Sequence, residues 1–282
     1  MGYLKHLGAA LALAAAATAH AGPLSKMYLS YTGIASYAGI GMVQGNSVSS
    51  FASAYTVGGL EIPIAVDGDV RTTGFLVAGS LGGQYSLSGT PTGVSYANPG
   101  FEAYDGTTDG SYNYVVDYQN GNVIRTDRDF QNPVTLFNVG GGHLGITYDP
   151  STNSLWISGW NATSDVTNYS MSGAVLSSFS TGSNFIGALA LDHADNSLWL
   201  VDNSGATNEL KQYSKSGSLL GSGPDVGYTL GGEFDLAGAR SVPEPSTWLL
   251  LSGSLLLLAR RRRSGSAPAM VIPVYHAGRE KR

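Results

Sequence analysis

Cysteine is absent from the 282 residues, which excludes disulfide staples, thiolate metal sites and a cysteine nucleophile. Any exported form is therefore held by its core. Charge is also sparse, at 12% of residues against 43% hydrophobic, and with 16 Tyr and 4 Trp this composition argues against a disordered chain. Basic residues are rarest in the middle of the chain. Between Gly22 and Ser241 there are 7 Lys or Arg and 18 Asp or Glu, so this stretch carries −11 although the whole chain carries −5. Without a basic stripe it lacks the electrostatic footprint for a phosphate backbone, and nucleic acid is not an expected partner. This stretch has two histidines, His143 and His193, too few for a three-histidine metal site. Gly-x-Ser-x-Gly, the nucleophile elbow of hydrolases, does not occur.

Long apolar runs occur only at the two ends. Residues 1–21 present Lys5 and His6, an apolar run from Leu7 to Ala17, and a small-x-small site at Ala19 and Ala21. That order predicts a secretory signal peptide passed through the Sec translocon and cut before Gly22. At the other end Val242-Pro243-Glu244-Pro245-Ser246-Thr247 is followed by an apolar segment to Ala259. Trp248, Leu249, Leu250, Leu251, Leu255, Leu256, Leu257 and Leu258 form its bulk. A helix over Thr247 to Ala259 would span roughly 20 Å, short of the roughly 30 Å hydrocarbon core. Arg260, Arg261, Arg262 and Arg263 follow as a stop-transfer cluster that holds this side in the cytoplasm and leaves the body outside. A basic tail, residues 264–282, comes last.

Pro243, Glu244 and Pro245, the Leu-rich segment and the Arg cluster together resemble the PEP-CTERM sorting signal of Gram-negative bacteria. The resemblance covers residues 242–263. It implies that an exosortase-type enzyme recognises the Pro-Glu-Pro segment and releases or transfers the body to the cell surface or the exopolysaccharide matrix. The implied route is export, transient anchorage in the inner membrane by the C-terminal helix, then processing.

The body repeats. Asn153-Ser154-Leu155-Trp156 recurs 43 residues on as Asn196-Ser197-Leu198-Trp199, and Ser111-Tyr112 stands 43 before Ser154-Leu155. Tyr85-Ser86-Leu87-Ser88-Gly89, Tyr169-Ser170-Met171-Ser172-Gly173 and Tyr213-Ser214-Lys215-Ser216-Gly217 form a second set. With Gly45, and with Gly121 filling the gap between Gly89 and Gly173, these turn glycines mark five units. The clearest unit reads as four short strands over 144–149, 154–159, 166–171 and 174–180. Four strands per unit of about 40 to 45 residues is the pattern of a propeller blade. Gly231 to Asp235 reads as an inner strand with no blade after it, and Met27 to Ala54 as a blade lacking one. The expected fold is all-β: a five-bladed propeller over residues 22–241, closed by pairing that C-terminal strand into the first blade.

Asp67, Asp105, Asp149, Asp192 and Asp235 are expected at the ends of the inner strands. There they serve either as Asx-turn residues or as an acidic ring able to take Ca²⁺, the one cofactor the sequence leaves open. Asp105 to Gly110 resembles half of a calcium loop, with Val116 in place of its closing Glu. Trp156 and Trp199 are expected between blades, whereas Trp160 lies outside the repeat and is free to stack on a sugar. No catalytic residue is singled out. The expected role is a non-enzymatic binding or structural propeller associated with extracellular polysaccharide. The rival is a lectin or glycoside-processing enzyme using Glu61, Glu102 or Glu233.

Overall fold

The computed structural model of the protein describes residues 22–33, 39–52, 60–75, 77–161 and 163–241. The predicted signal peptide (1–21) and the sorting signal and tail (242–282) lie outside the described residues. Among the described residues no helix is long and apolar enough to cross a membrane.

Among the described residues twenty strands form five four-stranded antiparallel sheets. Blade 1 holds β1 (Met27–Thr32), β2 (Ile40–Gln44) and β3 (Ser47–Ala52). Blade 2 holds β4 (Glu61–Val66), β5 (Asp69–Gly74), β6 (Leu81–Ser86) and β7 (Pro91–Ala97). Blade 3 holds β8 (Gly106–Thr108), β9 (Tyr112–Val116), β10 (Asn122–Asp127) and β11 (Val134–Asn138). Blade 4 holds β12 (His143–Asp149), β13 (Ser154–Gly159), β14 (Asp165–Ser170) and β15 (Val175–Ser180). Blade 5 holds β16 (Ile186–Asp192), β17 (Ser197–Asp202), β18 (Glu209–Tyr213) and β19 (Leu219–Asp225). The last strand, β20 (Thr229–Phe234), is followed by the short helix α1 (Leu236–Ser241).

Closure takes the expected form. β20 pairs antiparallel with β1, Met27 opposite Phe234 and Ser30 opposite Gly231, and becomes the inner strand of blade 1. The innermost edge of blade 1 is thereby paired rather than exposed.

The repeated Tyr-Ser-x-Ser-Gly motif is a hairpin turn between the third and fourth strands. In all three copies the Gly amide donates to the Ser carbonyl at 2.9 Å, and the Gly sits at φ 86–87°. The first Ser hydroxyl then accepts the amide of the residue after the Gly. Left-handed backbone there favours glycine. The repeated Asn-Ser-Leu-Trp begins with Asn153 and Asn196, both left-handed at φ 50° and 61°, a conformation Asn tolerates in turns.

Five clusters of buried apolar side chains fill the five interfaces between neighbouring blades. Trp156 packs between blades 4 and 5 and Trp199 between blades 5 and 1, as their repeat positions predicted. Three outer strands, β3, β11 and β15, contribute one ring each to the same scheme. Phe51, Phe137 and Phe179 approach Tyr85, Tyr169 and Tyr213 of the following blade at 6.3, 5.7 and 5.6 Å.

Two expectations fail in blade 3. Gly121 is not the equivalent of Gly89 or Gly173, because it ends the connection between the second and third strands, β9 and β10. The turn from β10 to β11 uses Phe130 and Asn132 at positive φ instead of a glycine. Asp105 does not end an inner strand. It precedes β8, which has only three residues, and the half calcium loop read at 105–110 is this strand.

Candidate functional site

The inner strands β20, β4, β8, β12 and β16 surround the axis, and we call their starting ends the upper face and their finishing ends the lower. The axis itself is polar and closed by hydrogen bonding. Pairing irregularities between His143 and Ile146 in β12, and between Ile186 and Leu189 in β16, release amides from the ladder. Asp105, fully buried, collects them. Its Oδ2 accepts the amides of Ile146 and Leu189, both at 3.1 Å, and its Oδ1 those of Gly106 at 2.9 Å and Gly232 at 2.8 Å. Burial, reinforced by the nearby Glu233, pushes this carboxyl well above the usual carboxylate range although its amide bonds pull the other way.

Glu233 forms a second layer. Thr147 Oγ1 donates to it at 3.0 Å and the Phe234 amide at 2.9 Å, while Thr147 Oγ1 accepts the Leu191 amide at 3.1 Å. Burial raises Glu233 to about 8, against hydrogen bonds from Thr107, Phe234 and Thr147. Glu61 is also buried and accepts from Thr72 Oγ1 at 2.8 Å and the Tyr85 hydroxyl at 2.6 Å. These three carboxyls are committed to internal partners. All three were candidates by sequence, but their part in closing the axis needed tertiary contact to be seen, because Asp105 satisfies amides far away in sequence.

At the lower mouth the remaining aspartates act mainly as turn residues. Asp149 Oδ1 accepts the Ser151 amide at 3.0 Å, and its Oδ2 pairs with Lys215 Nζ at 2.7 Å and accepts Trp156 Nε1 at 3.3 Å. Burial alone would raise Asp149, but the bonds from Lys215 and Ser151 hold it below its usual value. Asp192 accepts the Ala194 amide at 3.0 Å and the Ser25 hydroxyl at 2.6 Å. Asp235 Oδ1 accepts the Gly68 amide at 2.8 Å and caps α1 through Ala237 at 3.1 Å. Asp67 follows β4 within electrostatic reach of Arg71 and Arg128. Blade 3's turn aspartate is Asp109, whose Oδ1 accepts the Ser111 and Tyr112 amides at 2.7 Å. Among the described residues no group of three or more His, Asp or Glu is placed to hold a metal ion. His193 is half-buried in this mouth, and desolvation keeps its imidazole below the usual value despite Asp192 and Asp149.

Both ends of the body leave at this lower face, Ser25 beside Asp192 and α1 after Asp235. The upper mouth is chemically different. Trp160 meets Phe185 at 5.3 Å and Tyr228 at 6.0 Å, and Tyr228 meets Tyr31 at 6.3 Å. Tyr104 meets Phe75 at 4.7 Å and Tyr118 at 5.4 Å, and the charge states of Tyr104 and Tyr228 influence each other. These seven rings are half-buried and come from all five blades. Glu102 accepts the Tyr104 hydroxyl at 2.9 Å and an amide hydrogen of Gln119. No Lys or Arg lies in the described loops of this face. Trp160 was legible as a ring outside the repeat; its companions sit in non-repeated loops, and only the Tyr-rich composition hinted at them.

Residues 241–263 match the PEP-CTERM protein-sorting motif. No curated protein matches the chain. Among solved structures, a chain of a nidogen/laminin complex is 14% identical, with 76% of this chain and 99% of that one covered and a TM-score of 0.50. A streptogramin B lyase is 15% identical over 72% of this chain and 69% of its own, with a TM-score of 0.40. At 14% identity the likeness to the nidogen/laminin chain is one of fold. The chain thus joins a five-bladed β-propeller to a PEP-CTERM sorting motif, and that motif implies an exported protein handled by an exosortase-type enzyme.

Proposed function

We propose that the protein is a cell-surface or matrix component whose propeller works by binding, in association with extracellular polysaccharide, rather than by catalysis. In this reading the Sec translocon exports the chain, and the segment from Trp248 to Ala259 with Arg260 to Arg263 lodges it briefly in the inner membrane. An exosortase-type enzyme then acts at Pro243-Glu244-Pro245.

The observation that carries the reading is the polarity of the propeller. Both chain ends leave by the charged lower face, and the aromatic upper face lies at the other end of the axis. The commitment of Asp105, Glu61 and Glu233 to internal hydrogen bonds supports binding over chemistry.

The test is localisation. Replacing Pro243, Glu244 and Pro245 together by Ala retains the protein in the inner-membrane fraction, whereas the wild type reaches the surface or matrix; equal distribution of both contradicts the reading. A carbohydrate-processing enzyme is the second reading, favoured by Glu102, a half-buried carboxylate beside Tyr104 on the upper face. Glycoside hydrolysis abolished by Glu102→Gln would establish it in place of the first.

A further inference from the structure

We propose that the upper mouth is a stacking platform for a neutral hexose polymer, centred on Trp160. The proposal rests on the polysaccharide-associated reading above and names its site.

A pyranose ring has apolar C–H faces and a rim of hydroxyls, so it is recognised by aromatic faces set among hydrogen-bonding groups. The upper mouth has that composition. Phe185 and Tyr228 meet Trp160 at interplanar angles of 75° and 88°, so neither lies parallel over the indole face. Across the mouth Tyr118 meets Tyr104 at 80°. Hydrogen-bonding groups stand beside these rings in Glu102 and Gln119.

The described loops that carry Trp160 and Tyr228 are tied to their neighbours before any ligand arrives. The Trp160 amide donates to Gly142 O at 2.7 Å, the Asn161 amide to Asn184 O at 2.6 Å, and the Gly33 amide to Tyr228 O at 2.8 Å. Loops tied to their neighbours in this way lose little freedom on binding. Tyr31, whose ring abuts Tyr228, is held at φ 47°, a left-handed conformation that bulky side chains rarely adopt. Such strain concentrates at binding sites, where surrounding structure maintains it.

Charge selects the class of polymer. A uronate or phosphate chain needs Lys or Arg, and the described upper loops contain none, while Glu102 and a body charge of −11 repel it. A neutral polymer meets neither obstacle.

The test titrates the protein purified from producing cells with dextran, mannan, galactan and cellohexaose, and separately with alginate. Isothermal calorimetry and tryptophan fluorescence follow binding. At least one neutral polymer binds, and Trp160→Ala weakens it by about tenfold or more, a difference of about 1.4 kcal/mol. Val175→Ser, on an outer strand where Val175 is 62% exposed, leaves binding unchanged. Should Trp160→Ala lower the melting temperature, Tyr118→Ala supplies the same comparison from the other arm of the mouth. Neutral-polymer binding indifferent to both substitutions overturns the site, and so does binding to alginate alone, and in both cases polysaccharide association stands. Failure to bind any of the five overturns the site and the binding reading together, while leaving export through the sorting motif untouched.

Discussion

Asp105 accepts the Gly232 amide at 2.8 Å across 127 residues of chain, and so fastens the short inner strand of blade 3 to the strand that closes the ring. Since the same carboxyl takes amides from blades 4 and 5, one side chain ties four blades at the axis. Asp105→Ala leaves four buried donors without their acceptor and is expected to cost about 3 kcal/mol or more. Asp105→Asn keeps one oxygen and costs less. Urea denaturation of the two variants checks the order.

Glu233 makes stability depend on pH. Its value is about 8 in the fold against an ordinary 4.5, so between those limits the folded state holds up to one proton more than the unfolded chain. Its contribution to stability is complete below the lower value and is lost as the pH rises through the upper one. Denaturation midpoints of the wild type should therefore include a component that falls between about pH 5 and pH 8 and disappears in Glu233→Gln. Identical pH profiles would contradict the assignment.

Lys215 neutralises Asp149, whose side chain is 1% exposed. Lys215→Met strands that carboxylate beside Trp156 and should cost about 2–3 kcal/mol at neutral pH. Asp149 is held below its ordinary 3.8, so the pair's contribution is present above that value and is lost as the pH falls through the depressed one. The variant should therefore lose less stability on acidification than the wild type, which acid titration by circular dichroism measures.

Turn glycines separate strain from crowding. At Gly217 φ is 87°, and an added Cβ would lie 2.5 Å from Phe179 Cβ, whereas Gly45, at φ 56°, has open space around it. Gly217→Ala should cost about 2–3 kcal/mol and Gly45→Ala about 1 kcal/mol. Thermal melts of the two variants give the comparison.

Regularity decided how much was legible in the sequence. Tyr-Ser-x-Ser-Gly and Asn-Ser-Leu-Trp recur because each fixes a turn whose backbone demands Gly or Asn, and from them followed the period, while closure by β20 followed from an inner strand at Gly231 to Asp235 with no blade after it. Blade 3 broke the pattern physically. Its inner strand has three residues and the turn to β9 is short, so Asp105 and Asp109 compete for one place by spacing alone. Even intervals favoured Asp105, but the Asx turn belongs to Asp109 and the axis to Asp105. The upper rings other than Trp160 escaped for the opposite reason. They occupy loops with no repeat constraint, and only folding brings Trp160, Tyr228 and Tyr104 to one mouth.

Mass spectrometry of the C-terminus of protein recovered from the cell surface or matrix tests the central claim most directly. The account predicts that the mature chain ends at the Pro243-Glu244-Pro245 segment and lacks the apolar run and its arginines. Surface protein intact through Arg282 would contradict it.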